Sequence, residues 1–250
     1  MNEYARKALA GCVPLLAALL ATQTHPALAG SFDVNPIRIN LSAESRTSAL
    51  TVRNSGAEPV VVQVSSNAWS QDKGKDVLNT TNDLVVSPPV VTIAAGEEQV
   101  IRIGLRRAPD GEKELSYRIF LQEVPPPPRP GFQGLVVALR VGLPVFVQPR
   151  KGDAKANLLW SADLSTPDAV KLSVDNRGTG HIQVSTVQLY PPGHSDPVAE
   201  FSGVAYVLPG QAREWDLKLR QPSVKKGDRL RMRVSTDAGS IDTGIELGGP

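Results

Sequence analysis

The chain has 250 residues, and its 27 Lys and Arg against 25 Asp and Glu leave a formal net charge of +2. So even a balance excludes a general nucleic-acid binder, which would carry a concentrated basic surface. A single cysteine excludes an internal disulfide framework, and 21 glycines with 21 prolines argue against a helical protein and for strands and turns.

Residues 1–29 read as a cleavable secretory signal. Arg6 and Lys7 give a positive start, Ala8 to Leu20 an apolar stretch, and Ala27-Leu28-Ala29 a small-residue cleavage site. That apolar stretch is shorter than the roughly 20 residues a bilayer span needs, and nothing later is longer, so no membrane insertion is expected. Removing 29 of the 250 residues leaves 221, enough for one large or two ordinary domains, and removes the cysteine, Cys12.

From Gly30 onward short alternating runs are separated by turn residues. FDVNPIRINLS, SALTVRNSG, VVVQVSSNAW, VVSPPVVTIAAGEEQVIRIGL, LSYRIFLQEV and LVVALRVGLPVFV give about six or seven strands in about 120 residues. Pro36, Pro88 and Pro89 lack a ladder donor and belong at strand starts, bulges or edges. The last run, Leu135 to Val147, is apolar at every odd position: Leu135, Val137, Leu139, Val141, Leu143, Val145 and Val147. Its even positions mix Val136, Ala138 and Phe146 with Arg140, Gly142 and Pro144. A single strand of this length reaches on the order of 40 Å at about 3.3 Å per residue. Periodicity alone leaves two readings open, a buried central strand and an open edge able to supply or receive a strand.

After PRKGDAK come LLWSADLS, AVKLSVDNRG, HIQVSTVQLYPP, VAEFSGVAYVLPG, AREWDLKL, DRLRMRVSTD and SIDTGIELG, about seven further strands. The expected division is a first domain at 30–150 and a second at 155–250. The segments LTVRNSGAEPVVVQV and LSVDNRGTGHIQVSTV echo one another, as two domains of similar architecture would.

Chemistry-bearing patterns are few. Beyond residue 29 the histidines are His181 and His194, and no HExxH, CxxC or GxSxG occurs, so no catalytic residue, metal or cofactor is expected. Gly178 to Gly180 lies between two strands rather than before a helix, which reads as a turn and not a phosphate cradle. Trp69, Trp160 and Trp215 fall in or beside alternating runs, where core packing is the ordinary role. What remains is recognition of another chain.

FDVNPIRINLS, LTVRNSG, LVVSPPVVTIAAGEEQVIRI and above all YRIFLQEVPP followed by LVVALRVGLPVFVQP carry a resemblance across almost the whole chain. It resembles the periplasmic chaperones of the chaperone/usher pathway that assembles pili and fimbriae. That resemblance implies an all-β fold of two immunoglobulin-like β-sandwich domains in an L-shaped arrangement. It further implies a periplasmic, non-enzymatic protein that holds pilus or fimbrial subunits by donor-strand complementation and delivers them to an outer-membrane usher. By position, Leu135, Val137, Leu139 and Val141 match the apolar residues that such chaperones insert into the subunit. Arg38 matches the cleft arginine that grips the subunit's C-terminal carboxylate, a role suited to a bidentate, permanently charged guanidinium. The lysine that serves as second anchor in better-known members aligns with Pro144. Arg118 and Arg140 are the basic candidates to replace it; Arg118 is preferred, with Glu123 as a competing structural partner. The missing lysine and a short proline-rich loop without flanking cysteines resemble the divergent, archaic branch. An alternative reading is a secreted two-domain β-sandwich binding or adhesin-like protein using loop residues such as Trp69 or Tyr190, and a β-sandwich hydrolase is a more distant one.

Overall fold

A computed structural model describes residues 32–127, 135–220 and 224–248. The expected signal segment, 1–29, and positions 128–134 of the proline-rich run lie outside the described residues.

The first half contains ten strands: β1 (Phe32–Asn35), β2 (Ile39–Leu41), β3 (Thr47–Asn54), β4 (Val60–Asp72), β5 (Lys75–Thr80), β6 (Leu84–Ser87), β7 (Val90–Ile93), β8 (Glu98–Leu105), β9 (Leu115–Glu123) and β10 (Arg140–Val147). They form one sheet in the order β1-β3-β8-β6 and a second in the order β2-β10-β9-β4-β5, with β7 also on β4. Leu50, Val52, Ile101 and Ile103 of the first sheet meet Val62, Ile119, Leu121, Val145 and Val147 of the second in a closed core. Alternation explains the choice, because these residues occupy every second position of their strands and so share one face.

Seven strands follow: β11 (Leu158–Thr166), β12 (Ala169–Asn176), β13 (Ile182–Tyr190), β14 (Ala199–Val207), β15 (Ala212–Lys218), β16 (Arg229–Thr236) and β17 (Gly239–Glu246). Sheets β11-β12-β15 and β14-β13-β16-β17 enclose a second core built on Leu172, Val184, Leu189, Met232 and Val234. Each of the seven runs read from the sequence here is one strand. The chain is all-β, two immunoglobulin-like sandwiches in tandem, as expected.

Three expectations in the first half change. FDVNPIRINLS is not one strand: Pro36 cannot donate to a ladder, and the chain passes from β1 in one sheet to β2 in the other. The polar run Lys75–Thr80 forms β5 because it hairpins onto β4, with Ala68 opposite Asn79 and Asp72 opposite Lys75. Most important, the strand expected over Leu135 to Val147 begins only at Arg140. Its partner β9 ends at Glu123, opposite Leu139, so residues 135–138 outrun the ladder that would pair them.

The sequence echo has an atomic counterpart. Asn54 and Asn176 are both buried at the ends of β3 and β12. Asn54 Oδ1 accepts the Gly56 N–H at 2.9 Å, while Nδ2 donates to the carbonyls of Glu58 and Ile93 at 2.8 and 3.0 Å. Asn176 Oδ1 accepts the Gly178 N–H at 3.0 Å, and Nδ2 donates to Gly180 and Val207 at 2.8 and 3.1 Å. In each sandwich one amide thus satisfies a turn and ties it to a distant strand. Replacing either by alanine strands buried backbone groups, so Asn54→Ala and Asn176→Ala should each lower the unfolding free energy by about 3 kcal/mol in urea titrations. Unchanged unfolding midpoints would show that the turns hold without the amides.

Candidate functional site

The two faces of β10 do different things. On the odd face Val145 and Val147 are fully buried, Leu143 is 3% exposed, and Val141 and Leu139 are half-buried against the same core. Beyond the strand Val137 is 58% and Leu135 87% exposed. One line of apolar side chains therefore runs from the interior of the first sandwich out into solvent.

The backbone along that line is open on one side. β2 pairs with β10 only at Val145, Phe146 and Val147, in parallel. From Arg140 to Pro144 the described partner is β9 alone. Glu123 N–H donates to the Leu139 carbonyl at 2.8 Å, so in the antiparallel alternation the odd residues face β9 and the even ones face outward. The outward N–H and C=O groups of Arg140 and Gly142 lie on this open edge, whereas that of Gln148 farther along already donates to Leu41 at 2.8 Å.

The even face carries charge and aromatic rings. Arg140 lies over the Phe120 ring, 4.1 Å from its centroid, and a Cβ at Gly142 would meet that ring at 2.9 Å, so only glycine lets Phe120 lie flat there. Pro144 is directly opposite Arg118, which places both on one face. The Arg118 guanidinium sits 3.9 Å from the Trp69 ring and 4.0 Å from Asp76. Burial lowers its pKa, an effect the neighbouring Asp76 opposes. Glu123 is not its partner, because that carboxylate accepts the Leu139 N–H at 3.1 Å.

Arg38, between β1 and β2, reaches across to the second sandwich. Nη1 donates to Asp237 Oδ2 at 3.0 Å, Nη2 to Gln183 Oε1 at 2.6 Å and, at 3.5 Å, to the Tyr206 hydroxyl. Burial works against its charge, but the hydrogen bonds to Tyr206 and Asp237 outweigh it and the pKa is raised. The guanidiniums of Arg38 and Arg118 both face Tyr206, 5.8 and 5.6 Å from the ring centroid. The structure thus gathers Arg38 and Arg118 around one ring and leaves Arg140 on Phe120, farther along β10.

Tyr206 belongs to the joint between the sandwiches, where Trp69, Phe146, Tyr206 and Leu208 form a small separate core. His181 stacks on Phe146 at 3.4 Å with the rings 6° apart, and its Nδ1 lies 2.6 Å from the buried Glu114 carboxylate. Gln71 reads the backbone of the second sandwich, donating to the Tyr206 carbonyl at 2.8 Å and accepting the Leu208 N–H at 3.0 Å. The Gly178–Gly180 turn is part of the same joint: a Cβ at Gly178 would fall 2.1 Å from the Lys155 carbonyl oxygen, so the connecting chain lies directly on it. Tyr206, Gln183 and Asp237 were not legible as site residues, since their runs carry only ordinary strand and turn patterns. The loop-binding alternative loses its residues, because Trp69 is buried within β4 and Tyr190 is buried at the end of β13.

Residues 31–153 match the family described as pili and flagellar-assembly chaperone, PapD N-terminal domain. No curated protein matches the chain. Among solved structures, the fold is shared with the CsuC–CsuE chaperone–tip adhesion subunit pre-assembly complex from archaic chaperone-usher Csu pili of Acinetobacter baumannii, with a TM-score of 0.66 and 21% identity over 88% of this chain and 100% of that one. The Pseudomonas aeruginosa CupB2 chaperone gives 0.54 and 20% identity over 86% of this chain and 100% of that chain. The Salmonella enterica SafA pilin in complex with the SafB chaperone gives 0.58 and 23% over 87% and 97%. The first sandwich thus matches the PapD N-terminal domain of pilus assembly chaperones, and the two-sandwich fold is shared with solved structures of such chaperones.

Proposed function

We propose that this protein is a periplasmic chaperone, reached through the signal at 1–29, that holds a pilus or fimbrial subunit by lending it a strand and passes it to an outer-membrane usher. The observation that carries this reading is the continuous apolar line from the buried Leu143 to the exposed Leu135, alongside a backbone edge open at Arg140 and Gly142. A partner strand laid on that edge would complete the ladder and cover Leu135, Val137, Leu139 and Val141 in one step. Fully burying a Val or Leu side chain is worth about 1.5–3 kcal/mol, so covering the exposed Leu135 and Val137 could supply a few kcal/mol. Two of the related structures are complexes of a chaperone with a subunit, which supports the same class of partner here. The usher rests on the family match of the first sandwich alone.

Arg38 and Arg118 are the proposed anchor for the subunit's C-terminal carboxylate. Convergence on Tyr206 puts both cations at one end of the open edge, and the cross-strand position of Arg118 beside Pro144 suits it to stand in for the missing lysine. Arg140, held over Phe120, is left to another role. Neither step needs a cofactor or a covalent reaction.

Placing charge on the exposed end of the line leaves the core untouched. Leu135→Asp with Val137→Asp should therefore abolish co-purification of a co-expressed subunit while the thermal unfolding curve stays that of the parent; retained subunit binding would sink the strand-lending mechanism. For the anchor, each guanidinium supplies charge-assisted bonds worth about 1.5–3 kcal/mol, so Arg38→Ala and Arg118→Ala should each cut subunit yield in periplasmic extracts by about tenfold or more. An Arg118→Ala variant with full yield would return that residue to packing on Trp69.

A further inference from the structure

We infer that Asp237 is a resident carboxylate ligand of Arg38, occupying the place of the partner's carboxylate and giving it up when the partner binds. This rests on the reading that Arg38 takes a subunit's C-terminal carboxylate. Nη1 already donates to Asp237 and Nη2 to Gln183, so a carboxylate arriving at Nη1 finds Asp237 in its place.

Asp237 is the contact that yields. Its other oxygen, Oδ1, accepts the Gln183 N–H at 2.9 Å, and its own N–H donates to the Gln183 carbonyl at 3.0 Å. Losing Arg38 therefore leaves Asp237 anchored and a carboxylate oxygen free to meet water, with nothing stranded. Arg38 keeps Gln183 Oε1 and the Tyr206 hydroxyl on Nη2, which hold its fork in place while Nη1 changes partner. The pair is also reachable, with side-chain exposures of 31% and 28%. Ion pairs this open to water are weak and exchangeable, whereas the Glu114 carboxylate on His181, 1% exposed, is not available to a solute.

The exchange also acts on the joint. Arg38 belongs to the first sandwich and Asp237 to the turn between β16 and β17 of the second, so partner binding would release one tie between them. The ties through Gln71, Glu114 and the Asp76–Arg213 pair at 3.1 Å would remain.

The test follows the Arg38 Nε–H signal by nitrogen-15 NMR in the full mature chain during titration with N-acetylglycine, and with N-acetylglycinamide as the uncharged control. The parent should respond to the acid and not to the amide. Asp237→Asn should then reach half-saturation with the acid at about a fivefold lower concentration, the effect of removing one part-exposed competing charge. Asp237→Ser, which keeps an acceptor for the Gln183 N–H, should show the same gain and guards against a folding defect in the first variant. An unchanged or weaker response in both variants would overturn the inference, and Asp237 would then simply hold Arg38 in place. If the parent itself fails to distinguish acid from amide, the carboxylate-anchor reading falls and the inference with it.

Discussion

Everything in the first sandwich depends on the alternation of side chains along β10. Its odd residues close the core with β2, β4 and β9, its outer backbone is open from Arg140 to Pro144, and its even residues meet solvent, Phe120 and finally the second sandwich. Shifting the register by one residue would send Arg140 and Gly142 into the core and Leu143 into the joint. Such a strand cannot drift, because Phe146 is fixed between Trp69, Tyr206 and His181 at one end while Leu143, Val145 and Val147 are fixed in the core. A rigid inner half is what lets the outer half present an ordered edge.

The joint holds that edge against the second sandwich with a mixture of forces of different strength. The buried Glu114 carboxylate would be costly if left alone; it accepts the His181 N–H at 3.2 Å, lies 2.6 Å from His181 Nδ1 and accepts from Gln148 at 3.3 Å. The aromatic cluster around Phe146 excludes water from this region, and Gln71 replaces water for the backbone of residues 206 and 208. Against these, the Arg38–Asp237 pair is open to solvent. The geometry thus sets the buried fastenings of the joint apart from part-exposed ion pairs at its rim, Arg38–Asp237 and Asp76–Arg213.

The strands of the second half were legible run by run, because β12, β15 and β16 alternate buried with less buried positions and turn residues bound the others. Leu135–Leu139 was over-read for a physical reason: alternation reports which face a side chain is suited to, not whether a neighbouring strand exists to pair the backbone, and β9 ends too early. β5 was missed for the converse reason, since Lys75–Thr80 is almost wholly exposed and carries no apolar period. Arg38 and Arg118 were readable only through resemblance to known chaperones. Their partners were not, because Arg38 and Asp237 stand 199 positions apart and no local pattern in the STDAGS turn marks an aspartate that will meet a guanidinium.

Pro144 shows how one residue can limit an edge without closing it. In the ladder with β9 the even positions of β10 turn their backbone outward, so a proline at 144 removes the one outward donor lying between the open stretch and the β2 pairing that starts at Val145. An unpaired N–H at that point would extend the sticky edge right up to the joint. Its absence confines backbone pairing to Gly142 and the residues before it, and the ring packs buried beside Arg118 on the even face. The position thus separates a backbone zone with outward N–H and C=O groups from a charged zone where the guanidiniums of Arg38 and Arg118 gather around Tyr206. A lysine at 144 would add both a cation and an extra outward donor on the edge; with proline there, the cation on this face is Arg118 of the neighbouring strand.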